Sequence, residues 1–279
     1  MIVDNETNFL YLADCLENKQ PKFFQRFKNV LKSCNIEFQF LPNTKDIWAV
    51  DFMPIQISKD RFVQFTYNPD YLQPKMRHKT ISNVDSICDA IGLETVKSKL
   101  IVDGGNISRT TDKVIMCDKV FYENKSIPEK DLIKQLKELF QVEKLYFIPW
   151  DEDDFTGHAD GMVRFIDNDT VLINDHSNEN FEFQISFRMS LHNAGLDWIE
   201  IPYNPPLDPT FTSAEGLYLN YLQMKQAVVI PTFNSKVDEK AIRILEQVFK
   251  GQTIATVDSN ELADEGGVLN CITWNIQKK

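Results

Sequence analysis

Basic residues are scarce in this sequence: 30 Lys and Arg stand against 41 Asp and Glu, a formal net charge of −11 over 279 residues. That imbalance argues against a nucleic-acid binder, whose affinity rests on a basic surface. It also disfavours docking on anionic lipid and leaves a cationic small molecule as the natural partner. Long hydrophobic runs are missing too. No uncharged apolar stretch approaches the roughly 18 residues of a membrane helix. The acidic start, Met1 to Asp14, lacks the basic region and apolar core of a secretory signal. Cysteine is sparse: Cys15, Cys34, Cys88, Cys117 and Cys271 are odd in number and without CxxC spacing. That suits neither a disulfide framework nor a zinc site. Together these absences lead us to expect a cytoplasmic, thiol-reducing location. There is no glycine-rich phosphate loop, dinucleotide fingerprint or HExxH motif. No low-complexity linker divides the chain, so a single domain over residues 1–279 is expected.

What is present is ordinary globular composition, 43% hydrophobic and 25% charged, which argues against disorder. Five segments then share one grammar: an acidic residue, a small or turn-like neighbour, and a strand-forming run. They are Val50–Ile55, Val102–Ile107, Ala159–Phe165, Ala214–Leu219 and Asp264–Leu269. Their anchors Asp51, Asp103, Asp160, Glu215 and Glu265 lie 52, 57, 55 and 50 residues apart. After each of the first four comes a second apolar run: Arg61–Tyr67, Lys113–Phe121, Thr170–Asp175 and Gln226–Phe233. Helical patterns follow at Asn83–Leu93, Glu129–Phe140, Phe181–Asn193 and Asp238–Phe249, and closing strands at Lys144–Trp150, Trp198–Tyr203 and Gln252–Val257.

The fifth unit runs out of chain after its first strand. Its missing parts stand at the other end: a strand Phe9–Ala13, a helix Lys22–Cys34 and a strand Ile36–Leu41. This pattern predicts an α/β fold, a five-bladed propeller of ββαβ-like repeats with pseudo-fivefold symmetry, its ring closed by the N-terminal segment. The alternative on pattern alone is an ordinary α/β sheet.

If the units surround an axis, the five acidic anchors converge, and clustered carboxylates repel one another unless a cation sits among them. In Asp154-Phe155-Thr156-Gly157-His158-Ala159-Asp160-Gly161, an extended chain would put His158 and Asp160 on one side. A histidine beside a carboxylate carries protons near neutral pH, and equally serves in a structural network. Cys271 follows Gly266-Gly267-Val268-Leu269-Asn270. A lone cysteine in an apolar strand is commonly inert core, but paired glycines permit close backbone approach. A cationic substrate or a protonated histidine nearby would favour its thiolate. Trp48, three residues before Asp51, offers an aromatic wall for a flat cation. The other four cysteines and Trp150, Trp198 and Trp274 read as core. The acidic run Asp151–Asp154 reads as a solvated loop, and His78, His176 and His192 have no partner at useful spacing.

These pieces together resemble the agmatine deiminase and bacterial-type peptidylarginine deiminase family, within the guanidino-group-modifying superfamily. The resemblance is carried by Trp48-Ala49-Val50-Asp51-Phe52-Met53-Pro54, Asp103-Gly104-Gly105-Asn106, Gly157-His158-Ala159-Asp160 and Gly266-Gly267-Val268-Leu269-Asn270-Cys271-Ile272-Thr273. It implies a five-bladed α/β propeller and hydrolysis of a guanidino group to a ureido group and ammonia, without metal or organic cofactor. By position, Cys271 would be the nucleophile and His158 the acid and base. Asp51 and Asp160 would grip the guanidinium nitrogens, while Asp103, Gly267 and Trp48 would line the substrate site. Three positions depart from the family's habit: Val50 replaces an arginine, Asn270 a histidine and Asp103 a glutamate. Amidino transfer to an amine and ligand binding without catalysis are the competing functions. The expected partner is a small cationic guanidino compound, and nothing in the sequence specifies an oligomeric state.

Overall fold

A computed structural model describes residues 1–151, 154–203 and 213–278. In the helix Glu129–Phe140 the apolar residues Leu132, Leu136 and Phe140 recur every fourth position, and all three are buried. Glu129 and Asp131 occupy its first turn, where the helix dipole favours acids, and Gln141 closes it in the left-handed conformation at φ 56°. Helices of this kind return the chain so that a third strand lies parallel to the second.

The strands in order are β1 (Phe9–Ala13), β2 (Phe38–Leu41), β3 (Ile55–Ser58), β4 (Arg61–Thr66), β5 (Val96–Ile101), β6 (Ser108–Arg109), β7 (Lys113–Cys117) and β8 (Lys144–Ile148). They continue with β9 (Val163–Phe165), β10 (Thr170–Asn174), β11 (Asp197–Ile201), β12 (Leu222–Gln223), β13 (Ala227–Thr232), β14 (Thr253–Asp258) and β15 (Thr273–Ile276). They form five three-stranded sheets, β3-β4-β5, β6-β7-β8, β9-β10-β11, β12-β13-β14 and β15-β1-β2. In each, the first strand runs antiparallel to the central one and the last runs parallel to it. The fifth sheet joins both ends of the chain: Leu10 of β1 faces Asn275 of β15 on one side and Phe38 of β2 on the other.

Hydrophobic burial ties the sheets together in pairs. Leu132, Leu136 and Phe140 pack between Val63 and Phe65 of β4 and Val114 and Met116 of β7. Phe187 and Leu191 of the helix Phe181–Asn193 lie between Ile115 of β7 and Ile173 of β10. Ala241 and Leu245 of the helix Asp238–Val248 contact the cluster holding Leu172 of β10 and Val228 of β13. Phe23 and Phe27 of the helix Pro21–Ser33 join Val229 of β13 to Leu10 of β1. Ile87 of the helix Val84–Ala90 joins Tyr11 of β1 and Trp274 of β15 to Phe62 of β4. Every long helix therefore fills a seam between its own sheet and the one before it.

Two expectations change. The anchors do not stand at extended strand starts: Asp51 and Asp160 lie within helical turns, Ala49–Phe52 and Ala159–Gly161, and Asp103 caps a third, Gly104–Asn106. The apolar run Lys113–Phe121 also ends as a strand at Cys117, after which Lys119–Glu123 is helical. Among the described residues no helix is long and apolar enough to cross a membrane.

Candidate active site

Each first strand is preceded by a tight turn, and these turns supply the site. Asp51 lies in the turn before β3, Asp103 caps the turn before β6, His158 and Asp160 belong to the turn before β9, and Cys271 stands just before β15. All five are buried. His158 is bracketed by two carboxylates, with Nε2 3.1 Å from Asp103 Oδ2 and Nδ1 3.5 Å from Asp51 Oδ1. The Gly105 N–H donates to Asp51 Oδ1 at 3.2 Å and the Tyr71 hydroxyl to Asp103 Oδ2 at 2.8 Å. Asp103 Oδ1 is buried and has no hydrogen-bond partner among the described residues.

Glycine is required where these groups crowd the backbone. A Cβ on Gly105 would stand 2.5 Å from His158 Nδ1 and 2.7 Å from Asp51 Oδ1. One on Gly267 would stand 2.6 Å from the Trp48 ring and 3.2 Å from Cys271 Cβ, so Trp48, Gly267 and Cys271 share one wall. Trp48 itself is half-buried and caps the turn holding Asp51.

Burial is the largest influence on Asp51, His158, Asp160 and Cys271. It raises Asp51 to about 8 against the attraction of His158, with Asp103 and Asp160 adding to the rise. It raises Asp160 as well, partly offset by His158 and by the Asn270 hydrogen bond. For His158, burial pulls downward, but the charges of Asp51 and Asp103 prevail and hold it at about 10. His158 is therefore held toward its imidazolium form between Asp51 and Asp103. Cys271 is pushed well above an ordinary thiol by burial and then by Asp160 and Asp51. This corrects the expectation that His158 would favour a thiolate: burial and the neighbouring carboxylates outweigh it and favour the thiol.

Three further expectations are corrected. His158 and Asp160 do not alternate along a strand, since Ala159–Gly161 is a helical turn. Glu215 and Glu265 do not converge with the other anchors; both are exposed, and Glu265 accepts a bond from Gln20. Asn220 and Asn270 take that place. Asn270 Nδ2 donates to Asp160 Oδ2 at 2.6 Å and Asn220 Nδ2 does so at 3.2 Å. Asn220 Oδ1 also accepts from the backbone N–H groups of Asn270 and Cys271, at 3.0 and 3.2 Å. The acidic run is not idle either. Asp154 accepts from Thr156 and from the His158 N–H at 3.4 Å, while Glu152 and Asp153 lie outside the described residues.

Sequence reasoning missed Asn220, Tyr71 and Lys119. Lys119, 2% exposed, donates to the carbonyls of Phe155 and Thr156 and pairs with Asp70 at 3.0 Å. It thereby joins the loop before His158 to the loop of Tyr71. A signal existed for Asn220 alone. Aligning the repeats on their strands places it two residues before β12, much as Asp160 stands three before β9.

Comparison with known proteins shows the family and the fold. Residues 6–276 match the family of Porphyromonas-type peptidyl-arginine deiminases. An agmatine deiminase of Pseudomonas aeruginosa is 23% identical over 204 residues, covering 62% of this chain and 54% of that protein. A candidate agmatine deiminase of Mycoplasma mycoides is 22% identical over 219 residues, covering 67% of this chain and 60% of that protein. The chain thus spans about 60% or less of the length of these curated relatives. The structure of the C. jejuni agmatine deiminase superposes with a TM-score of 0.80 at 20% identity, over 100% of this chain and 95% of that one. The Pseudomonas aeruginosa DDAH complexed with citrulline gives a TM-score of 0.57 at 12% identity, over 97% of this chain and 99% of that one. At such identities the structural likeness is one of fold. The match over nearly the whole sequence settles the family: the chain belongs to the Porphyromonas-type peptidyl-arginine deiminases.

Proposed function

We propose that the chain hydrolyses a small guanidino compound to its ureido product and ammonia through a covalent bond to Cys271. The observation that carries this reading is the buried Asp103 Oδ1, without a partner among the described residues and set among Asp51, Asp160 and His158. A buried, unpartnered carboxylate oxygen is costly. A guanidinium supplies both the N–H donors and the positive charge that this cluster lacks, with Asp51 and Asp160 on its nitrogens. Trp48 and Gly267 shape the wall beside it.

The same binding event activates the nucleophile. With a cation between them, Asp51 and Asp160 no longer repel a negative sulfur, and the Cys271 thiol releases its proton to solvent. The thiolate adds to the guanidino carbon, whose charge the carboxylates have localised on nitrogen. His158, held protonated, gives its proton to the departing nitrogen, which leaves as ammonia. The remaining amidino group is bonded to sulfur. Neutral His158 then takes a proton from water, the hydroxide adds to the same carbon, and the C–S bond breaks to release the ureido product and the cysteine. No step calls for a metal or organic cofactor.

The five seams and the sheet shared by both chain ends support reading the whole chain as one closed five-bladed propeller. Agmatine is the leading substrate, since relatives carry that name, and arginine, N-acylated arginines and arginyl peptides are its competitors. Ammonia release from this panel, measured alongside Cys271→Ala, is the test. Release that vanishes in the variant is expected. Silence across the panel, or release that persists in the variant, overturns the reading.

A further inference from the structure

A buried lysine is costly unless its three N–H groups find acceptors. Lys119, 2% exposed at the start of the helix Lys119–Glu123, finds them. Its Nζ donates to the carbonyls of Phe155 and Thr156 at 2.7 and 2.9 Å and pairs with Asp70 Oδ1 at 3.0 Å. The same ammonium lies 5.1 Å from the ring centres of both Tyr71 and Trp150, whose faces attract a cation. Gly157 lies against its stem: its φ is 62°, and a Cβ there would stand 2.5 Å from Lys119 Cδ. One side chain thus joins two loops, that of Asp70 and Tyr71 and that of Phe155, Thr156 and Gly157.

Both loops lead to His158. Gly157 is its neighbour in the chain. Tyr71 donates its hydroxyl to Asp103 Oδ2, the oxygen that stands 3.1 Å from His158 Nε2. The Tyr71 ring also packs edge-on against Phe155 at 5.3 Å and against His158 at 6.2 Å. Among the described residues Lys119 makes no hydrogen bond or ion pair with Asp103 or His158. Its influence on them therefore passes through Tyr71 and the backbone of residues 155–157.

We propose that Lys119 is a positioning residue for His158: it sets the imidazole against Asp103 by holding Tyr71 on that carboxylate and by fixing the backbone that leads into the histidine. Its catalytic consequence rests on the reaction proposed above, in which His158 protonates the departing nitrogen; the brace itself does not. A proton donor acts only within hydrogen-bond reach, and a displacement of about 1 Å can cost roughly a hundredfold in rate. The carboxylates that grip the guanidinium are held by other groups, Asp51 by the Gly105 N–H and Asp160 by Asn220 and Asn270. Loss of the brace should therefore lower kcat more than it raises KM.

Lys119→Met keeps the apolar stem and removes the charge and the donors. Hydrogen–deuterium exchange of the full chain should show the amides of residues 70–73 and 154–158 exchanging about tenfold faster, with those of β13 unchanged. On the best substrate of the panel, kcat should fall about tenfold to a hundredfold while KM changes less than about threefold. Lys113→Met removes a different buried lysine, one paired with Asp169. It should lower the thermal midpoint and leave kcat intact, which separates positioning from general destabilisation. In a Tyr71→Phe background Lys119→Met should cost less than it does alone, because the two side chains act on Asp103 in series. Asp70→Asn, at the exposed end of the brace, should act in the same directions more weakly and decides the matter if Lys119→Met does not fold. Unchanged exchange in the two loops overturns the brace. Faster exchange with kcat unchanged, or a fall in kcat that Lys113→Met reproduces, overturns the positioning role. A wild type silent on every guanidino compound overturns the proposed reaction and the catalytic role with it, while exchange still decides the brace.

Discussion

The turns just before the first strands and the strands themselves carry opposite charge. The turns hold Asp51, Asp103 and Asp160; the strands hold Arg109 and Arg164. Both regions bury ions, but they are stabilised differently. In the strands, Asp4 answers both arginines with direct ion pairs, and Arg164 also grips two backbone carbonyls. In the turns, three carboxylates share one imidazolium, and burial drives Asp51 and Asp160 toward their neutral forms. A buried ion answered by its own chain builds structure; a cluster short of positive charge is, under the proposed function, where the cationic substrate binds.

Breaking the answered region should cost the most stability. Arg164→Gln leaves Asp4 without its shorter ion pair and two carbonyls without a donor, and should cost about 3–5 kcal/mol in urea unfolding. Asn220→Ala lies between the regions, since it removes the groups that orient Asp160 and the Cys271 backbone. It should cost about 1–3 kcal/mol of stability and lower kcat more than it raises KM.

A pH series sharpens the contrast in the turns. His158 is raised from 6.5 to about 10 and Asp51 from 3.8 to about 8. Both therefore bind their protons more tightly folded than unfolded. Their stabilising contribution is complete below the unfolded values and is lost as pH rises through the folded ones. The thermal midpoint of the unliganded protein should fall between pH 6.5 and 10, and a bound guanidino compound should flatten that fall. A midpoint that rises over this range would contradict the assignment. Smallest of all, Glu215→Gln and Glu265→Gln should change stability by less than about 0.5 kcal/mol and leave turnover intact, because both side chains are exposed.

That last contrast shows where the sequence was legible. The helices Glu129–Phe140 and Phe181–Asn193 emerge with the bounds their patterns predict, and β1 falls on Phe9–Ala13 as the incomplete last repeat required. Strand β5 was not legible, because Val96–Ile101 contains two lysines and only Leu100 is buried. Three anchors marked the site because each follows a repeat's rhythm and carries a charge. Glu215 and Glu265 had the same rhythm, but an acid-glycine pair also makes an ordinary exposed turn, so spacing could not separate the two cases. Asn220 and Tyr71 escaped because an amide and a phenol have many structural uses. Only the folded chain brings Asn220 to Cys271 and Tyr71 to Asp103.

The central claim is that the cation-hungry cluster exists to make Cys271 attack a guanidino carbon. Acid quenching during turnover of the best substrate of the panel, followed by peptide mass spectrometry, observes that step directly. An amidino group is expected on Cys271, absent before substrate is added and absent in Cys271→Ala. Turnover with Cys271 unmodified, and undiminished by Cys271→Ala, would contradict it.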